Sequence, residues 1–63
     1  MRTFVYTIKF NDGLIEVAGN FQEASHIREG LHVENYSGEW FWTLIDSEGN
    51  KQAQIEKHGV TVE

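Results

Sequence analysis

The sequence predicts an α+β domain, a mostly antiparallel β-sheet in β-β-α-β-β-β order with one short helix packed on one face. Three observations carry this. Residues 3–10 alternate apolar and polar; a capped apolar stripe follows at residues 20–31; and Glu39–Asp46 holds both tryptophans in the densest apolar run. Period two marks half-buried strands, and a stripe at spacings of three and four marks a helix. Sixty-three residues form one small domain spanning 1–63.

In the first strand Phe4, Tyr6, Ile8 and Phe10 share one side, while Thr3, Val5, Thr7 and Lys9 share the other. Asn11-Asp12-Gly13 follows, and Asp-Gly is a hairpin signal. A two-residue turn at Asp12-Gly13 predicts that Phe10 faces Ile15, Ile8 faces Val17 and Lys9 faces Glu16. Val5, Leu14 and Ala18 then lie on the outer side.

Asn20 is a helix N-cap, with Glu23 three residues on as in a capping box. Phe21, Ala24, Ile27 and Leu31 form one stripe, and Gly30 is the stop. The expected helix is Phe21 to Glu29, too short to hold except against a sheet. Leu31 to Tyr36 reads as a strand and Ser37-Gly38 as a turn.

Glu39–Asp46 reads as the central strand. Trp40, Trp42 and Leu44 face the core; Phe41, Thr43 and Ile45 face away. Ser47-Glu48-Gly49-Asn50 is a turn cluster. With Glu48-Gly49 central, Leu44 pairs with Ala53, Trp42 with Ile55, Trp40 with Lys57, Phe41 with Glu56, Thr43 with Gln54 and Ile45 with Gln52. His58-Gly59 breaks the pattern, leaving Val60-Thr61-Val62 as a short strand or a tail.

At this size about 60% of the unfolded chain's surface is buried, so stability is marginal. There is no cysteine, hence no disulfide or thiolate metal site. No apolar run approaches the roughly 20 residues of a membrane span. Met1-Arg2-Thr3-Phe4 leads straight into a strand, which is not a secretory signal. Asn35-Tyr36-Ser37 fits a glycosylation sequon and reads as chance in that setting. The expected setting is cytoplasmic.

The net charge of −5 is unevenly placed. From Asp12 to Asn50, eight acidic residues stand against Arg28 alone, a balance of −7, leaving +2 for the two ends. Such a field repels nucleic acid and steers basic partners. Glu23, Glu29, Glu34 and Glu39 are the candidate partner-binding residues, against a basic nucleic-acid-handling protein.

Nothing in the chain carries catalytic, cofactor or metal chemistry. His26, His32 and His58 lack ligand spacing. Ser25 and His26 are adjacent on a helix and point apart. The six glycines fall at element ends and form no phosphate loop. Trp40, Phe41 and Trp42 lack the interleaved Lys and Arg of base-stacking sites. Phe41 and Ile45 on the outer face, with Val60 and Val62 at the terminal edge, are the candidate self-association residues, for a homodimer.

Residues 3–31, and Ile15-Glu16-Val17-Ala18-Gly19-Asn20-Phe21-Gln22-Glu23-Ala24 above all, resemble the small acidic α+β proteins of phages and prophages. That group includes inhibitors of host RNA polymerase, restriction enzymes and CRISPR effectors. The resemblance implies a stoichiometric binder that blocks a host enzyme, and assigns no residue a role. The functional expectation is a non-catalytic binding protein of inhibitor type. The alternatives are a structural or assembly protein acting through its own oligomer, and a small nucleic-acid-binding module.

Overall fold

A computed structural model describes residues 2–35, 38 and 40–61. The elements are β1 (Arg2–Phe10), β2 (Ile15–Ala18), α1 (Phe21–Ser25), β3 (His32–Asn35), β4 (Phe41–Ile45) and β5 (Lys51–Thr61). The five strands make one antiparallel sheet in the order β2-β1-β5-β4-β3. Among the described residues the elements follow the expected β-β-α-β-β-β order, with one short helix.

The centre of the sheet is β5, not the aromatic strand. β5 lies between β1 and β4, while β4 is one strand in from the β3 edge. His58-Gly59 does not interrupt it: β5 runs through Thr61 and pairs with β1 from Phe10↔Ala53 to Arg2↔Thr61. Val60 is therefore in the strand, and Val62 lies outside the described residues. This long ribbon gives the molecule its extents of 43 × 23 × 18 Å.

The first hairpin has a different register from the one expected. Gly13 N–H donates to Phe10 C=O at 3.0 Å, and Phe10 N–H donates to Leu14 C=O at 2.8 Å. The loop is thus three residues, Asn11–Gly13, with Gly13 at φ +94°. Three-residue loops of this kind place a glycine in the left-handed region after a tight turn. Asp12 Oδ1 holds it by accepting from Leu14 N–H at 3.0 Å. One extra loop residue slips the ladder by one, so Lys9 pairs with Ile15, Ile8 with Glu16, Thr7 with Val17 and Tyr6 with Ala18. A one-residue slip sends a strand's side chains to opposite faces. Ile15 and Val17 are turned away from the core, and Ala18, expected outside, is buried.

The second hairpin uses the same loop and keeps most of its expected register. Gly49 N–H donates to Asp46 C=O, Asp46 N–H donates to Asn50 C=O, and Gly49 has φ +85°. Ile45 therefore pairs with Lys51, not with Gln52. A bulge then absorbs one residue of β5, and from Leu44↔Ala53 the ladder runs as expected through Phe41↔Glu56. The bulge is tied from both sides. Asn11 gives its N–H to Gln52 C=O at 3.1 Å and its Nδ2 to Lys51 C=O at 2.7 Å. Gln52 Nε2 donates to Asp46 Oδ2 at 2.9 Å.

The helix begins where the cap demands: Asn20 Oδ1 accepts from Glu23 N–H at 2.7 Å. It ends at Ser25, four residues short of the expected Glu29. Ser25 Oγ and the His26 ring both bind Gln22 C=O, each at 2.9 Å. Short polar side chains bonding nearby backbone in this way compete with helix continuation. The chain beyond is not helical, and it lays Arg28 over the Phe10 ring at 3.8 Å. That cation–π contact contributes about 0.5–1 kcal/mol at an exposed site. The third strand is also shorter than the expected Leu31 to Tyr36; Leu31 precedes it and packs on the core, and Tyr36 lies outside the described residues.

The core lies between the helix and one sheet face. Tyr6, Ile8, Phe10, Ala18, Leu44, Ala53 and Ile55 are buried there beneath Ala24. Phe21 spans the layer, 5.9 Å from Tyr6 and 4.8 Å from Trp42 between ring centroids. Trp42 is half-buried at the margin. Trp40, expected in the core, stays 42% exposed against Phe4 at 6.0 Å.

Leu44 and Ile55 are fully buried. Leu44→Ala should cost about 2–5 kcal/mol, against about 3–9 kcal/mol of total stability for a chain this long. Chemical denaturation will show a lost or strongly shifted transition. Asp46 supplies a second test. The N–H of Asn50 is the largest influence and holds the Asp46 carboxyl below the usual carboxylate range; desolvation, next in size, opposes it, and Gln52 Nε2 and the N–H of Glu48 reinforce it. A depressed folded value stabilises above the unfolded value and is lost as pH falls through the folded one. Asp46→Asn should melt below the parent at neutral pH, and the gap should close on acidification below about pH 4. A gap that is constant with pH would exclude the charge as its cause.

Candidate binding face

Helix α1 packs on one face of the sheet; on the other face most of the described side chains are exposed or half-buried, and Thr43 is buried. Paired residues in an antiparallel ladder share a face, so the register gives its composition by rows. Ile15, Lys9, Gln54, Thr43 and Glu34 cross the sheet in one row. Val17, Thr7, Glu56 and Phe41 form the next, and Val5 with His58, then Thr3 with Val60, complete it.

Two apolar margins flank a polar stripe. On the β2 side Ile15 is 57% and Val17 64% exposed. On the β4 side Phe41 is 38% exposed and Ile45 is half-buried. The margins are three strand spacings apart, roughly 14 Å. Between them Thr7, Lys9, Ile15, Gln54, Glu56 and His58 line a shallow groove of about 410 Å³. Thr7 Oγ1 and His58 Nε2 share a hydrogen bond of 2.9 Å. It joins diagonal neighbours on adjacent strands.

The structure brings Phe41, Ile45 and Val60 to this one face, Val60 being 39% exposed near the tip of the β1–β5 ribbon. Ile15 and Val17 join them, and sequence reasoning missed both. The signal was the Asn11 that precedes Asp12-Gly13: as part of a three-residue loop it turns both side chains outward.

The acidic candidates are not gathered. Glu23 is exposed on α1, on the helix side of the sheet, and Glu29 is exposed in the segment after it. Glu34 pairs with Thr43 on the opposite face, at the β3 edge. Glu39 lies outside the described residues. No group of three or more His, Asp or Glu among the described residues is arranged to hold a metal ion.

A second exposed aromatic site lies on the helix side, where Phe4 and Trp40 continue the face of Tyr6 and Trp42. Lys57 Nζ sits 4.1 Å above the Phe4 ring and 5.4 Å from Trp40. The chain's own lysine thus lies on the aromatic pair. No helix among the described residues is long and apolar enough to cross a membrane. No protein family, curated protein or solved structure matches the chain.

The outward position of Val17 makes a direct prediction. Val17→Lys should leave the melting temperature within a few degrees of the parent, since exposed substitutions cost within about 0.5 kcal/mol. In the register with Val17 opposite Ile8, the same change would bury a lysine and unfold the protein. Thermal melting followed by circular dichroism distinguishes the two.

Proposed function

We propose that this chain is a non-catalytic protein-binding domain that engages its partner through the open face of the sheet. One observation carries the reading: helix α1 packs on one face of the sheet, and the other face, where Thr43 is buried, exposes Ile15, Val17, Phe41 and Val60. Isolated exposed apolar residues need no explanation, but several large ones gathered on one sheet face support an interface there. The stripe between the margins supplies hydrogen-bonding groups from Thr7, Lys9, Gln54 and Glu56, and specific interfaces carry such bonds alongside their apolar contacts.

Catalysis fits this surface poorly. The hydroxyl and imidazole of Thr7 and His58 meet on an open sheet, where ladder pairing engages the strand N–H groups instead of leaving them to stabilise an oxyanion. An inhibitor of phage type, docking on a host enzyme, is one protein that would use such a face. Attraction of a basic target through a single acidic patch has less support, since Glu23 and Glu34 lie on opposite sides of the sheet.

The test is quantitative capture from a host lysate with three baits: the parent, an open-face variant (Val17→Asp with Phe41→Asp) and a charge variant (Glu23→Gln with Glu29→Gln). Partners should be kept by the charge variant and lost by the open-face variant. The opposite pattern would return binding to the acidic residues of the helix side.

A further inference from the structure

We infer that the open face takes a second copy of this chain, laid face to face about a two-fold axis running parallel to the strands between β1 and β5. The inference rests on the open face being the binding surface and names its occupant.

The strand order makes the face self-complementary. An axis between β1 and β5 exchanges those two strands, and it exchanges β2 with β4. Row positions are kept. Along the row Val17, Thr7, Glu56, Phe41, Val17 of one copy comes over the partner's Phe41, and Phe41 over the partner's Val17. The two apolar margins, unlike in size, therefore cover each other twice. The arrangement is the isologous contact expected of a two-fold dimer, and an aligned β-sandwich in geometry.

Charge selects this axis. Lys9 on β1 comes over the partner's Gln54, with the partner's Glu56 on the diagonal, and the pair recurs by symmetry. A two-fold axis across the strands would set β5 on β5. Centred on the same row, it would put the two Glu56 carboxylates face to face, and like charges across an interface are costly. The β3 edge, with Glu34 and His32, falls outside the overlap and stays in water.

The area fits a weak dimer. Four strands by about six residues project roughly 400 Å² per copy. Corrugation raises the accessible area buried, which still stands at the low end of specific interfaces. Association at high micromolar concentration follows.

The chain has no cysteine, so engineered thiols report without background. The test uses Val17→Cys, Phe41→Cys, their equimolar mixture and the double variant, each in a glutathione redox buffer. Within one chain the two positions are roughly 14 Å apart, beyond the ~7 Å Cα separation a disulfide spans. The mixture and the double variant should form disulfide-linked dimers several-fold faster than either single variant alone. Lys9→Glu should weaken dimerisation in sedimentation, and adding Glu56→Lys should restore it. Val17→Cys alone cross-linking as fast as the mixture would overturn the axis. A parent monomeric at high micromolar concentration, with no cross-link in any sample, would overturn self-pairing. The capture experiment, which reads other partners, would still decide the binding face.

Discussion

The arrangement depends on two glycines held at positive φ. Gly13 at +94° and Gly49 at +85° each close a three-residue loop at the same end of the sheet. Other residues pay roughly 1–2 kcal/mol to enter that region, and the added side chain meets nothing within 4 Å at either site. The constraint is therefore conformational, not steric crowding by neighbours. Because each loop has an odd number of residues, it decides which side chains face the helix.

The two hairpins answer the same constraint differently. On the β4–β5 side the bulge at Gln52 takes up the odd residue, so Leu44, Ala53 and Ile55 meet under the helix. Asn11, from the first loop, donates to the carbonyls of Lys51 and Gln52 at the bulge, and Asp46, just before the second loop, accepts from the Gln52 side chain. On the β1–β2 side there is no compensating bulge. Glu16 and Ala18 take the core side, and Ile15 and Val17 are turned outward. The apolar margin of the open face is thus a consequence of one loop residue.

The core that remains is small. A five-residue helix shields it with Ala24 and the reach of Phe21 across to Trp42. The run after the helix adds Arg28 over Phe10, with Ile27 and Leu31 against the cluster. A layer so thin covers one face only. The uncovered face is where a small domain without disulfides gains most from association, because apolar area buried there adds to a marginal core.

The sequence by itself determined the local elements. Alternation at residues 3–10, the Asn20 cap and the turn residues around Gly13 and Gly49 depend on neighbours in the chain, and they determined strand, helix start and turn sites. The pairing of Leu44 with Ala53 through Phe41 with Glu56 was legible too, because the bulge restored the register that a simpler turn would give. Tertiary structure decided what depends on long-range contacts. It set β5 at the centre, through pairing between the first and last strands, and it left Trp40 outside the core. It also placed Glu23 and Glu34 on opposite sides of the sheet. The open face belongs to this second group. Apolar alternation states that a strand has two sides, and only the loop geometry and the position of the helix decide which side meets water.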